Sequence, residues 1–431
     1  MTTVTRVCVR DLRFPTSRSL IGSDAMNPAP DYSAAALTLE TSDTDWSGHS
    51  FVFTIGRGNN VQVAAIEEAA QRFTGRDADG LCADPAAAMR ELAWDSQLRW
   101  LGPDKGVMHM AIGAVVNAIW DLRSRRAGIP LWRELCQLSP TEVVDQIDWT
   151  YLRDCLDPGE ARELLEEQAP LRDSRRACFE QLGLAAYTTS PGWLGYSDGK
   201  LERLCVEARE AGFSLVKLKV GEDLDSDLRR LEIARHALGA SVDIAVDANQ
   251  RWDVETAIAS VRAFADFNLR WVEEPTHPDD VLGHATIAHA VAPTPIATGE
   301  HLANPVMAKQ LLAAGGASVL QIDATRVGGV NDLLALIMLA RKSKVEVIPH
   351  AGGVGLCEAV QHFVYFNAVC VAHDTAPLSL EYVDHLHEHM ADPVTVTGGA
   401  YRLPTSPGSS SEFVAGVERR YGFPDGTEWI S

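Results

Sequence analysis

Ser214-Leu-Val-Lys-Leu-Lys219, Asp243-Ile-Ala-Val-Asp247, Leu269-Arg-Trp-Val-Glu273, Pro295-Ile-Ala-Thr-Gly-Glu300, Val319-Leu-Gln-Ile-Asp323 and Val345-Glu-Val-Ile-Pro-His350 are six short apolar runs, each closed by a polar or charged residue. The closing residues lie 28, 26, 27, 23 and 27 positions apart. A strand and its crossover helix take roughly 30 residues in an eight-stranded β/α barrel of about 250 residues. The spacing therefore predicts six successive parallel strands with these residues at their C-terminal ends, where a barrel builds its active site. A single acid at a strand end is more often a helix cap. Three acids in succession, flanked by Lys and His, are hard to explain by capping.

Working outward, the 431 residues leave about 180 beyond such a barrel, so two domains are expected. Before it, Val4–Pro15, Tyr32–Thr41 and Gly48–Gly56 read as strands of an antiparallel meander. The turn-rich stretch between the first two reads as a loop, taken as 17–32. Helices are expected at 60–74, 84–100 and 108–128; the last is apolar nearly all round, as a buried helix linking two domains would be. These make a capping domain, 1–138. Residues 139–182 read as a helical connection on the outside. The barrel follows at 183–394, opening with a strand at 185–190 and closing with one at 378–381. Its helices are expected at 200–210, 225–238, 254–267, 305–314, 330–342 and 356–371. The tail, 395–431, carries a strand-like 394–396 but no barrel unit, and is expected to return to the first domain.

The apolar fraction of 46% and charged fraction of 23% are those of a soluble globular protein, and a net charge of −21 argues against nucleic acid and anionic membrane as partners. No run of 18 apolar residues predicts a membrane span, and the N-terminus shows no signal pattern. Eight scattered cysteines without CxxC suggest reduced, mostly buried thiols in the cytoplasm.

Side chains alternate along a strand, so Lys217 and Lys219 share the inward face, as do Asp247 and Asn249. Glu273 and Glu274 cannot both point inward; Glu273, in register with Trp271, is taken as the inward one. Asp247, Glu273 and Glu300 at one mouth would repel each other without a cation, and an all-oxygen set suits Mg²⁺. The competing reading pairs each acid with a Lys or Arg. Lys219 is a candidate base, its pKa lowered by Lys217 and a dication. His350 would be held by Asp323. The His385-Leu-His-Glu-His389 cluster is a weak metal motif, and Gly352-Gly-Val-Gly355 is no dinucleotide fingerprint.

Lys217-Leu-Lys219, Asp247-Ala-Asn249, Trp271-Val-Glu-Glu-Pro275, Gly299-Glu300, Ile322-Asp323 and His350 resemble the mandelate-racemase subgroup of the enolase superfamily. Ile21-Gly-Ser-Asp-Ala-Met-Asn27, Phe53-Thr-Ile-Gly-Arg-Gly-Asn59, Asp323-Ala-Thr-Arg-Val-Gly-Gly-Val-Asn331, His350-Ala-Gly-Gly-Val-Gly-Leu-Cys-Glu358 and Ser379–His389 are similar to its L-fuconate dehydratase group. The resemblance implies a (β/α)7β modified TIM barrel, an α/β fold whose N-terminal α+β capping domain is completed by the C-terminal tail. It implies one Mg²⁺ per subunit on Asp247, Glu273 and Glu300. Lys219 would remove the C2 proton of L-fuconate to give an enediolate. His350, supported by Asp323, would protonate the departing 3-hydroxyl, yielding 2-keto-3-deoxy-L-fuconate. Lys217, Asn249 and Glu381 would contact the carboxylate or developing charge, and Gly22, Ser23, Asp24 and Tyr32 the polyol end. A homo-oligomer acting on a small acid sugar is expected. Another aldonate dehydratase, a racemase, a silent binding barrel and a two-metal hydrolase are the alternatives.

Overall fold

The computed structural model describes residues 2–102, 104–376 and 378–430. Alternating apolar and charged residues build Val4–Arg13 (β1), which pairs antiparallel with Ser33–Thr41 (β2), itself paired with Ser47–Thr54 (β3). Helix Asn59–Gln71 and the long helix Gly106–Ala127 pack on this sheet. The long helix has no polar face because it also meets the second domain. A Cβ at Gly113 would stand 2.1 Å from the Val327 carbonyl oxygen, so only glycine permits that approach. The expected helix 84–100 is broken into Pro85–Ala93 and Ser96–Trp100, because Asp95 turns out of the first and caps the second, accepting from Gln97 and Leu98 N–H.

The second domain is a (β/α)7β barrel. Leu184–Gly192 (β4), Leu215–Lys219 (β5), Asp243–Asp247 (β6), Val272–Glu273 (β7), Ile296–Thr298 (β8), Val319–Leu320 (β9) and Glu346–Val347 (β10) pair in chain order, all parallel, and Leu380–Tyr382 (β11) pairs with β4. Seven helices intervene. One of them, Val281–Val291, was not anticipated: its residues, VLGHATIAHAV, set His and Gly among the apolar positions and form no clean stripe. The stretches at 254–267 and 356–371 are not continuous α-helix. The first ends at Ala263 before a 3₁₀ turn, and the second passes into a π-turn at Asn367–Val371.

Period-two alternation fills the barrel. Tyr187, Leu215, Ala245, Trp271, Ala297, Val319 and Ile348, from β4, β5, β6, β8 and β9 and from just before β7 and just beyond β10, form a separate buried cluster inside it. Two residues further along, the same face carries Lys217, Asp247, Glu273, Gln321 and His350. Lys219, Asp247 and Glu273 do end their strands, but Glu300, Asp323 and His350 lie two or three residues beyond theirs. Backbone bonds from Gln321 N–H to Thr298 C=O (3.0 Å) and His350 N–H to Ile322 C=O (3.1 Å) carry the register on to them.

The tail departs from expectation in its first part. Val396–Thr397 and Ala400–Tyr401 form a hairpin that adds antiparallel to β4, so this stretch stays on the barrel. Beyond it, Phe423 N–H donates to Asp11 C=O at 2.9 Å and Glu418 meets Arg10, which brings the chain back to β1. All eight cysteines are free, but only Cys205, Cys357 and Cys370 are buried, fewer than expected. Among the described residues, no helix is long and apolar enough to cross a membrane.

Candidate active site

The strand ends open into a cavity of about 410 Å³ beneath the loop of the first domain. Asp247, Glu273 and Glu300 are buried at its base, each with a carboxylate oxygen within 4.8 Å of the others. Glu273 is the most firmly held. Lys217 Nζ donates to it at 2.7 Å, Gln321 Nε2 at 2.7 Å and Trp271 Nε1 at 3.1 Å. Asp247 accepts from Lys219 Nζ at 2.5 Å and from the Asn249 N–H at 2.8 Å. Glu300 Oε2 is buried and without a hydrogen-bond partner among the described residues.

The electrostatics follow. Burial, then Asp247, push the Glu273 carboxyl well up; burial, then Glu274, push Glu300 up. Burial works against ionised Asp247 too, but Lys219 and Lys217 outweigh it and hold its pKa down. Lys219 itself is raised; the lowering expected of it needs a dication as well as Lys217. Burial and Lys217 oppose its charge, but the Asp247 carboxylate in contact with it prevails. Were all of them ionised, Asp247, Glu273, Glu300, Asp323 and Glu381 at the strand ends would exceed Lys217, Lys219 and His350 by two charges, and the push on Glu273 and Glu300 toward the neutral form answers that excess. Three convergent buried carboxylates, one with an orphaned oxygen, fit a hard dication with oxygen ligands.

On the other side, His350 Nδ1 lies 2.9 Å from Asp323 Oδ2, and Asp323 Oδ1 accepts from Thr325 N–H at 2.7 Å. Burial would lower the imidazole pKa, but Glu300 and Asp323 raise it to about 9. Glu381 accepts from Ala351 N–H at 2.8 Å and from Thr189 and forms an ion pair with Lys217; burial is overcome by Lys217 and His350, and its pKa is held down at about 2.

Of the residues expected to meet substrate, Gly22, Asp24, Tyr32, Asn249 and Glu381 line the cavity with Lys219 and His350. Ser23 and Lys217 do not. Ser23 lies buried with its hydroxyl on the Leu20 and Leu194 carbonyls (2.8 and 2.5 Å), tying the loop to the chain after β4. Lys217 is sealed beneath the cavity by its three carboxylates. Gly22 has φ 81°, and a Cβ there would strike the Tyr32 ring at 2.5 Å. Asp24 Oδ1 accepts the N–H of Met26 and of Asn27, both at 2.7 Å, which curls the loop over the cavity. The three histidines of 385–389 are spread apart: His387 binds Glu358, and His389 stacks on Phe14.

Sequence reasoning missed Trp193, Gln250, Glu274, His301 and Arg326. Glu274 does not turn outward. Its φ of 42° swings the carboxylate beside the mouth, where it meets His301 Nδ1 at 3.0 Å and Gln250 Nε2 at 2.9 Å. The doubled acid before Pro275 and the His after Glu300 were the available signals.

Residues 200–416 match the family described as "Enolase C-terminal domain-like". The human mitochondrial enolase superfamily member 1 crystal structure superposes with a TM-score of 0.97 at 43% identity, covering 99% of this chain and 98% of that one. L-Galactonate dehydratase of Hypocrea jecorina is 44% identical, over 99% of this chain and 96% of its own. L-Talarate dehydratase of Polaromonas sp. JS666, solved with Mg and L-glucarate, matches with a TM-score of 0.73 at 26% identity, each chain covered to 98%.

Proposed function

Since the chain belongs to the enolase superfamily, we propose that it is a Mg²⁺-dependent acid-sugar dehydratase acting on L-fuconate or its 6-hydroxy counterpart, L-galactonate. The observation that carries the reading is the buried trio Asp247, Glu273 and Glu300, bracketed by Lys219 and by the Asp323–His350 pair. Asp247, Glu273 and Glu300 would hold the ion. When bound, Mg²⁺ supplies a positive charge that competes with Lys219 for Asp247 and draws electron density from the substrate carboxylate.

Lys219 Nζ, as the neutral amine after giving up its own proton to solvent, would take the C2 proton, and the substrate would become an enediolate. His350 carries its proton at Nε2, because Nδ1 is committed to Asp323, and delivers it to the departing 3-hydroxyl. The enol then becomes a 2-keto-3-deoxy acid. Asn249 and Glu381 line the reacting end, while Asp24 and Tyr32 face the polyol chain. The two candidate acids differ only at C6, hydroxyl against hydrogen, and Met26, Ile55 and Met110 at the wall give a methyl group apolar company.

The test is a panel of aldonic and aldaric acids with Mg²⁺, monitored for 2-keto-3-deoxy products. L-Fuconate and L-galactonate should lead in kcat/KM; product from neither would sink the reading. Cytoplasmic residence and a homo-oligomer belong to the same reading. The free thiols fit a reducing compartment, and light scattering measures the assembly.

A further inference from the structure

Two imidazole–carboxylate pairs bracket Glu300. His350 Nδ1 lies 2.9 Å from Asp323, and its Nε2 lies 3.7 Å from Glu300 Oε2. His301 Nδ1 lies 3.0 Å from Glu274 Oε1 and 3.6 Å from Glu300 Oε1. The first pair enters the proposed chemistry; the second has no part in it. Yet the second is costly to build. Glu274 is fully buried, and both it and Gln250, which donates to its other oxygen at 2.9 Å, sit in the left-handed region with φ of 42° and 65°. Such backbone costs non-glycine residues on the order of 1–3 kcal/mol each and collects at functional sites.

The outcome of that construction is one oriented ring. Gln250 Nε2 lies 2.7 Å and Glu274 Oε1 3.0 Å from His301 Nδ1, and among the described residues nothing hydrogen-bonds Nε2. The side chain is 35% exposed and lines the cavity. Its wall also holds Arg326 and Met110, 3.9 Å apart, and Met110 comes from the long helix of the first domain. Met110 brings that side of the cavity against the cap, where the chain of an acid sugar would run, while His301 itself stays beside Glu300.

We infer that His301 is a further substrate-contacting residue, its Nε2 hydrogen-bonding a chain hydroxyl of the bound polyhydroxy acid, with Glu274 as its positioning residue. The inference rests on the acid-sugar reading. The Glu274 and Gln250 contacts at Nδ1 fix the ring's angle, as hydrogen-bonded carboxylates orient histidines in metal sites. A site built to hydrogen-bond one hydroxyl discriminates against an analogue without it, because the ring nitrogen covered by the bound substrate is left unpaired.

The experiment compares wild type, His301→Ala, His301→Asn and Glu274→Gln on L-galactonate, L-fuconate and analogues each lacking or inverting one hydroxyl. His301→Ala should lower kcat/KM roughly ten- to a hundredfold on the full substrate and by less than about twofold on one particular deoxy analogue. Glu274→Gln keeps a hydrogen-bonding group beside Nδ1 but no charge. It should give the same substrate pattern with a smaller loss, mainly in KM. Mn²⁺ affinity, read by electron paramagnetic resonance, should stay within about threefold in both. Equal losses on every analogue, or a tenfold weaker Mn²⁺ affinity in His301→Ala, would overturn the inference, the second by showing that the pair serves Glu300. Calorimetric binding of the same acids reads the contact without turnover, so a wild type that binds selectively but dehydrates nothing fails the dehydratase reading alone.

Discussion

Lys219 and His350 reach the same cavity from β5 and from the chain beyond β10, and the proposed reaction gives them different tasks. In D₂O, His350→Asn should exchange the C2 hydrogen of unreacted L-fuconate while dehydration falls about 10²–10⁴-fold, because Lys219 remains and the general acid is gone. Lys219→Ala should lose both. Proton NMR of the C2 signal measures this, and exchange by Lys219→Ala but not by His350→Asn would reverse the roles. His350, held between Glu300 and Asp323, also predicts a pH dependence of folding in metal-free protein. The imidazole pKa is raised from 6.5 to about 9 in the fold. Its stabilisation is therefore fully present below pH 6.5 and is lost as the pH rises through 9, about 3 kcal/mol in all. The urea midpoint of the EDTA-treated wild type should fall toward that of His350→Asn over this range; parallel curves would deny the linkage. Lys219, Asp247 and His350 were legible because period-two alternation assigns their face. Glu274 was not, because alternation assumes extended backbone and its φ is 42°.

At the scale of elements, the barrel was legible from its βα spacing, since each strand must bury one face and end before a helix. What escaped was decided by contacts distant in sequence. Helix Val281–Val291 lacks a stripe of its own, and the 396–401 hairpin adds to β4 by backbone bonds that leave no side-chain pattern. The long helix Gly106–Ala127 was visible as buried, but not that it touches the loop carrying Asp323. There, Asn117 Nδ2 donates to Ala324 C=O at 3.0 Å, and Gly113 abuts Val327. Gly113→Ala should therefore push the helix off that loop, costing about 1–3 kcal/mol of stability. Because Asp323 moves with the loop, kcat should fall more than KM rises. A urea midpoint within error of wild type would show that the helix shifts freely and does not support the site.

Across the whole molecule, the barrel concentrates negative charge at one mouth, and its stability should depend on what neutralises it. Lys217 and Lys219 answer part of that charge, and Glu300 Oε2 is left buried and unpartnered among the described residues. A cation bound only by the folded protein stabilises it by about 2.7 kcal/mol at a hundred times its Kd. If the barrel unfolds as a unit of roughly 200 residues, Mg²⁺ should raise the melting temperature by about 5–10 °C. EDTA should abolish both that increment and turnover, and Mg²⁺ should restore both. Glu300→Gln separates the two possible uses of the trio. If the three acids serve the ion, the variant loses the Mg²⁺-dependent rise, yet its metal-free melting temperature matches or exceeds wild type, because one repelling charge has gone. If instead the acids are paired structurally with Lys217 and Lys219, the metal-free variant melts lower and Mg²⁺ moves neither protein. Calorimetric melts of both proteins, with EDTA and with Mg²⁺, decide between these outcomes, and full turnover after exhaustive chelation would remove the ion from the reaction altogether.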